Sequence, residues 1–125
     1  MDIRIKATNT NLTQGITDYV EKRLSVFEKY IDPQDTSVHC YVEVGRTTKH
    51  HKQGDILRAE INLHISGQDF RSVSETSSLH GAIDEAKDEM VRTLRKHKQK
   101  QSQQVKRGGA QMKSFLKKSP KRFRK

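Results

Sequence analysis

The residues with the clearest chemical meaning in this 125-residue chain are cations near the end of a predicted helix. Apolar residues recur at steps of three and four between positions 78 and 100, which predicts one long amphipathic helix. Its last turns carry the five cations Arg92, Arg95, Lys96, Lys98 and Lys100. Because arginine and lysine at this density pair with phosphates, these five are candidate contacts to a polyanion.

Basic and acidic residues are separated along the whole chain. Residues 1–89 hold 11 basic and 15 acidic side chains, a net charge of −4, whereas residues 90–125 hold 14 basic and none acidic. Cations at this density repel one another at low salt unless a polyanion neutralises them. A solvated helix face with a solubilising tail is the simpler alternative, but it requires no such separation. The charge pattern therefore favours nucleic-acid binding.

The other reactive residue types form no catalytic or metal-binding pattern. His50 and His51 are adjacent with no cysteine nearby, which is poor geometry for zinc. Cys40 alternates with valines, as a buried and inert thiol does. The acids in the early turns of the long helix, Asp84, Glu85, Asp88 and Glu89, suit the helix dipole. We therefore predict that the protein is not an enzyme and has no metal, cofactor or small-molecule substrate.

Composition limits the protein class further. No apolar run approaches the ~20 residues that span a bilayer, and the first ten residues lack the apolar region of a signal peptide. The single cysteine excludes an intrachain disulfide framework. We expect a cytoplasmic protein without a membrane partner, built from one folded domain over residues 1–100 and a basic tail over 101–125. The tail composition is typical of disorder, and we expect it to extend the contact with RNA.

Two periodicities predict the remaining elements. Alternation of apolar and polar residues predicts strands over 2–8, 37–45 and 55–66, followed by a return strand over Gln68–Thr76. Gly67 and Gln68 suit the hairpin turn that joins the last two strands. A helix is predicted from Thr13, its N-cap, to about Tyr30, and Pro33 blocks its continuation.

This order, β-α-β-β-β-α, predicts an α+β fold: a four-stranded sheet with two helices on one face. The other face would remain in solvent, carrying Arg4, Lys6, His39, Tyr41, Arg58, Asn62 and His64. An RNA-recognition motif would need aromatic residues on both central strands, and only Tyr41 meets that requirement in the sequence. Cations along a helix suit double-stranded RNA, which is bound through its shape and phosphates.

The chain resembles the ribosome hibernation-promoting factors, a family that includes the ribosome-associated translation inhibitors and ribosomal subunit interface proteins. The resemblance covers about residues 1–100. It is carried by the element order, by FEKYI at positions 27–31 and above all by AIDEAKDEMVRTLRKHKQK at positions 82–100. Within the last motif, Arg92, Leu94, Lys96 and Lys98 follow the family pattern R-x-L-x-K-x-K.

The resemblance implies a double-stranded-RNA-binding-domain-like fold and a protein that silences idle or stressed ribosomes. Its partner would be the small ribosomal subunit with its ribosomal RNA. It would occupy the decoding channel there and compete with mRNA and tRNA. The implied RNA contacts are Arg92, Lys96 and Lys98, with Arg95 and Lys100 in the same cluster; Lys22, Arg23 and Lys29 of the first helix are secondary candidates.

The residues alone leave two other classes open. One is a constitutive RNA-binding or ribosomal structural protein, which would be present in all growing ribosomes and would not inhibit them. The other is an interaction module that modulates transcription through a protein partner. A regulator that blocks ribosomes should instead bind reversibly and inhibit initiation.

Overall fold

A computed structural model describes the backbone of residues 1–47 and 56–112, and the side chains of 1–47 and 56–100. The elements in chain order are β1 (Ile3–Thr8), α1 (Gln14–Leu24), a 3₁₀ helix (Ser25–Tyr30), β2 (His39–Thr47), β3 (Ile56–Ile65), β4 (Gln68–Thr76) and α2 (Leu79–Met112). The predicted order β-α-β-β-β-α is confirmed. The sequence also predicts a polar loop over Arg46–Gly54; Arg46 and Thr47 belong instead to β2, and the rest of that loop, with His50 and His51, lies outside the described part of the chain.

The four strands form one mixed sheet in the order β1-β2-β3-β4. β1 runs parallel to β2, and the β2–β3 and β3–β4 pairs are antiparallel. The register places Ile5 beside Val42, Val42 beside Ile61, and Ile61 beside Ser72. Alternation therefore continues across all four strands, and one face of the sheet is apolar almost throughout.

Both helices cover this apolar face, as predicted. The core residues are all buried: Val20, Leu24, Phe27, Cys40, Val42, Val44, Ala59, Ile61, Leu63, Ile65, Ala82, Ile83, Ala86 and Met90. Two buried serines on β4 interrupt the apolar surface, and each has a partner on α2. Ser72 Oγ donates to the carbonyl of Ala86 at 2.7 Å, and Ser74 Oγ donates to Glu85 Oε1 at 3.1 Å. These bonds avoid the cost of an unpaired buried hydroxyl and join β4 to α2.

A hydroxyl caps the start of each helix: Thr13 as predicted for the first, and Ser78, one of two candidates with Ser77, for the second. Thr13 Oγ1 accepts from the backbone N–H of Ile16 at 3.2 Å, and Ser78 Oγ accepts from that of Gly81 at 3.0 Å. The first helix, however, does not remain α-helical to Tyr30. It ends at Leu24, and Ser25 donates its hydroxyl to the carbonyl of Lys22 at 2.7 Å. Such local bonds compete with regular helical bonding, and the chain continues as a 3₁₀ helix.

The second helix continues past its predicted end at Lys100 to Met112. Loss of apolar periodicity suggested the earlier end, but Gln, Lys and Arg have good intrinsic helix propensity without it. The chain divides into two compact units, residues 1–93 and 94–125. A folded domain over 1–100 with a tail over 101–125 stays a prediction, and residues 113–125 lie outside the described part.

The β3–β4 hairpin turns one residue earlier than predicted. Its two central residues are Ser66 (φ 51°) and Gly67 (φ 75°). Positive φ at both positions is the type I′ arrangement that matches the twist of a hairpin. Serine tolerates this backbone here because its N–H donates to Asp35 Oδ2 at 2.7 Å. Hydrogen bonds from Ser37 first, and then from Ser66, lower the pKa of Asp35.

An acid lies at the centre of the solvent-facing side of the sheet. Glu60 accepts from Arg58 Nη2 and Arg71 Nε, both at 2.9 Å, and from Asn62 Nδ2 at 3.1 Å. The bond from Arg71, followed by those from Asn62 and Arg58, lowers the pKa of Glu60 to about 2 against the opposing effect of burial. Glu60 therefore fixes two arginines of neighbouring strands.

A Glu60→Gln variant should lose a pH-dependent part of the stability. The pKa of Glu60 is lower in the folded state than in the unfolded state, where it is about 4.3. Its contribution is therefore present above about pH 4.3 and is lost as the pH falls towards 2. Allowing for solvent screening, we expect urea denaturation at pH 7 to show a loss of about 1–2 kcal/mol, shrinking with acidification. Glu75→Gln, at an exposed position on the same face, is the matched control; equal pH profiles for both variants would contradict this role.

Candidate nucleic-acid interface

Four cations of the second unit lie close together on α2, in a stretch here called the basic segment (residues 94–100). It holds four exposed cations and no acid: Arg95, Lys96, Lys98 and Lys100. Arg95 and Lys98 are three residues apart, and Lys96 and Lys100 are four apart, so the cations form two rows along the helix. They span roughly 8 Å of helix axis at 1.5 Å per residue. Exposed cations at this density are suited to a run of phosphates.

The helix dipole does not stabilise these cations. The sequence predicted a helix that ends at Lys100 and carries them in its last turns, where the dipole would favour them. Because α2 continues to Met112, the basic segment lies well inside it. The dipole effect falls off within the terminal turn. The helix dipole therefore does not offset the mutual repulsion of these cations. A bound polyanion would relieve that repulsion and so gain binding free energy.

Arg92 has different surroundings from the rest of the predicted cluster. It belongs to the first unit, where it lines a shallow depression together with Val73, Ser74, Glu85, Asp88 and Glu89. Three carboxylates in one small depression offset the charge of a single guanidinium. Arg92 remains exposed. The electrostatic potential around it is less positive than the cations that follow it in the sequence led us to expect.

Arg23, a candidate of the first helix, contributes to the contact between the helices. Its Nε lies 3.5 Å from Asp84 Oδ1, and its guanidinium lies 5.0 Å from the centre of the Tyr19 ring. The Tyr19 hydroxyl donates to Asp84 Oδ2 at 2.7 Å, and His80 contacts the Tyr19 ring edge-on. Burial, and then the bond to Asp84, raise the pKa of Tyr19. Sequence reasoning did not identify this cluster.

The partner of the second Asp84 oxygen explains why Arg23 is held in place. Oδ1 of Asp84 is buried and accepts no hydrogen bond from the residues that the structure describes. Its separation from Arg23 Nε still satisfies an ion pair. Arg23 and Asp84 therefore interact as an ion pair, because attraction between opposite charges depends less on the N–H direction than a hydrogen bond does. Arg23 thus stabilises the contact between α1 and α2. Only the solvent-exposed part of its side chain is available to RNA.

Lys22 and Lys29 complete the predicted set. Both are exposed in the first unit, Lys22 in the last turn of α1 and Lys29 in the 3₁₀ helix. The Lys29 ammonium lies 5.4 Å from the centre of the Tyr30 ring. The candidates are therefore brought together only in part: four lie in the basic segment, and Arg92, Lys22, Arg23 and Lys29 lie in the first unit.

The remaining chemistry-bearing residues in the described part of the chain include one cysteine and no metal-binding group. Cys40 is buried, and that burial raises the pKa of its thiol to about 12. A thiol that stays protonated is a poor nucleophile and metal ligand. Within 1–47 and 56–112, no group of three or more His, Cys, Asp or Glu residues is placed to hold a metal. No helix in the same part is long and apolar enough to cross a membrane.

The mixed sheet, the two helices on one face and the basic segment define an α+β protein suited to a polyanion. Residues 3–102 match the family described as Sigma 54 modulation protein / S30EA ribosomal protein, and the chain belongs to that family. It is 33% identical over 101 residues to the ribosome hibernation promoting factor of Azotobacter vinelandii, covering 81% of this chain and 86% of the relative. It is 31% identical over 103 residues to the ribosome hibernation promotion factor of Picosynechococcus, covering 80% of this chain but 50% of that relative.

Solved structures agree with this fold. The crystal structure of the N-terminal domain of Thermus thermophilus Protein Y has a TM-score of 0.65 at 28% identity, covering 78% of this chain and 99% of that domain. A ribosomal subunit interface protein from Coxiella burnetii has a TM-score of 0.62 at 14% identity, which supports the fold alone. The α+β architecture and the family resemblance are thus both confirmed.

An Asp84→Asn variant should weaken the contact between the helices. It removes the charge that holds Arg23 and weakens the bond from Tyr19, and hydrogen bonds to charged groups contribute about 1.5–3 kcal/mol. We expect the free energy of unfolding, measured with urea, to fall by about 1–2 kcal/mol. The control is Asp88→Asn, whose exposed carboxylate pairs with the adjacent Lys87 at 2.7 Å. A surface pair of this kind contributes little, so equal losses in the two variants would exclude a special role for Asp84.

Proposed function

We propose that this protein binds the small ribosomal subunit through its ribosomal RNA and silences ribosomes in idle or stressed cells. One observation carries the proposal: a continuous helix presents four exposed cations, and the basic segment that holds them contains no acid. Family membership and relatives named ribosome hibernation promoting factor support the ribosome as the partner. Relatives with that name also favour a regulator over a constitutive ribosomal component.

The geometry suits structured RNA. Base edges in an A-form helix are poorly accessible from the deep, narrow groove, so proteins bind it mainly through phosphates and shape. Two rows of cations on a rigid helix can follow successive phosphates without ordering a flexible loop. Each phosphate neutralised releases counterions, so affinity should decrease steeply as salt rises.

Silencing would then require no chemical step. A protein seated in the decoding channel occupies the path of mRNA and tRNA, so initiation is blocked while it is bound. Such inhibition is reversible because it depends only on occupancy. It also suits a cytoplasmic protein that acts by binding and not by catalysis.

The experiment compares two charge-matched double variants. Lys96→Ala/Lys98→Ala removes two exposed cations of the basic segment, and Lys22→Ala/Lys29→Ala removes two exposed cations of the first unit. For the first variant, we expect weaker binding to purified small subunits, and a plot of log affinity against log salt that is flatter by roughly 1.4–1.8. The second variant should show the smaller change.

Thermal unfolding of both variants checks that the fold is kept, since all four lysines lie outside the core. An unchanged slope for Lys96→Ala/Lys98→Ala would exclude the basic segment as the RNA contact. A larger loss of affinity from Lys22→Ala/Lys29→Ala would indicate that α1 and the 3₁₀ helix form the main RNA contact.

A further inference from the structure

The sheet register brings together three rings that the sequence already assigned to the open face, here called the ring patch (His39, Tyr41 and His64). β2 and β3 are the two central strands of the sheet. His39 and Tyr41 lie on β2, and His64 lies directly opposite His39 on β3. All three point to the face that the helices leave uncovered. Each central strand therefore carries at least one ring on the open face, counting the imidazoles: His39 and Tyr41 on β2, and His64 on β3.

The three rings form one continuous surface. The centres of His39 and His64 are 5.3 Å apart with an angle of 22° between the planes, a stacked arrangement. The centres of His39 and Tyr41 are 6.2 Å apart with a tilt of 55°. Tyr41 is 48% exposed and, with Met1 and Leu12, is one of three large hydrophobic residues exposed in the described part of the chain. This exposed ring takes no part in the core.

Exposed cations flank the ring patch on both sides. On β1, Arg4 lies beside Tyr41 in the register, and Lys6 follows on the same face. On β4, Arg71 lies beside Asn62, the residue opposite Tyr41. The side chains of Arg4 and Arg71 are 72% and 60% exposed, and each also pairs with an acid, Arg4 with Asp2 at 3.8 Å and Arg71 with Glu60 at 2.9 Å. Guanidinium groups therefore reach solvent within one strand spacing of the rings on either side.

Four acids near this face have partners within the protein, beginning with Asp2, which lies 3.8 Å from Arg4; Glu75 is a further exposed acid on the same face. Asp69 lies 2.6 Å from the His64 ring, and Glu43 accepts from the Thr8 hydroxyl at 2.8 Å. Glu60 accepts the three bonds from Arg58, Asn62 and Arg71. The acids nearest the rings, Glu60 and Asp69, are therefore already paired within the protein, beside guanidinium groups that reach solvent.

We propose that the ring patch binds unpaired bases of a single-stranded RNA segment. Exposed rings offer stacking surfaces to bases, and the cations at their edges can hold the connecting phosphates. Duplex RNA is excluded as the occupant because its bases are already stacked inside the helix. An apolar protein segment would gain little from so small a patch bordered by arginines and an amide. The face is a second RNA contact, separate from the basic segment.

This inference rests on the proposed function only in taking RNA as the partner. The test uses the full chain and measures the affinity for a fluorescent single-stranded RNA of about twelve nucleotides without internal pairing. A duplex with the same number of phosphates is the comparison. Tyr41→Ala should weaken single-strand binding roughly tenfold, as loss of one stacked base does, and leave duplex binding unchanged. Tyr41→Phe keeps the ring and should bind like the wild type.

Leu12→Ala is the matched control, since it removes another exposed apolar side chain away from the ring patch. Equal single-strand affinities for Tyr41→Ala and Leu12→Ala would overturn the proposal, as would equal losses of Tyr41→Ala on single strands and duplex. A loss on whole ribosomes but on no RNA oligomer would indicate a protein partner and also overturn it. Failure of this proposal can be distinguished from failure of the proposed function, because Lys96→Ala/Lys98→Ala tests the basic segment without altering the rings.

Discussion

Burial of the first turns of α2 against one face of the sheet is the constraint on which the rest of the structure depends. Ala82, Ile83 and Ala86 are fully buried, and the Ser72 hydroxyl joins β4 to the backbone of Ala86. This packing fixes which face of the sheet is covered and which stays open. It also anchors the first turns of a helix whose sequence has few apolar residues after Leu94.

Acidic and basic residues are also distributed unevenly between the parts of the chain. Acids predominate among residues 1–89, where Asp84 holds Arg23 and Glu60 holds Arg58 and Arg71. The basic segment itself contains four exposed cations and no acid. A protein with internal ion pairs in one part and a run of exposed cations in another suits association with a polyanion.

Local patterns predicted the elements well, and contacts distant in sequence account for what they missed. The return strand predicted after the hairpin has the observed bounds of β4, Gln68–Thr76, and the predicted Thr13 cap begins α1. The hairpin turn was displaced because Asp35, far away in sequence, bonds the N–H of Ser66. The pairing of Arg23 with Asp84 and the ring patch both depend on tertiary packing or strand register. No periodicity of a single segment contains that information.

The central claim, that the basic segment lies against ribosomal RNA, can be tested with a tethered cleavage probe. The chain has one cysteine, which is buried, so a cysteine placed at an exposed position can carry an iron chelate selectively. A probe at Gln99 in the basic segment should cleave small-subunit ribosomal RNA along the mRNA path, and a probe at Asn11 in the first unit should cleave it more weakly or elsewhere. Cleavage from Asn11 along that path, with none from Gln99, would contradict the claim.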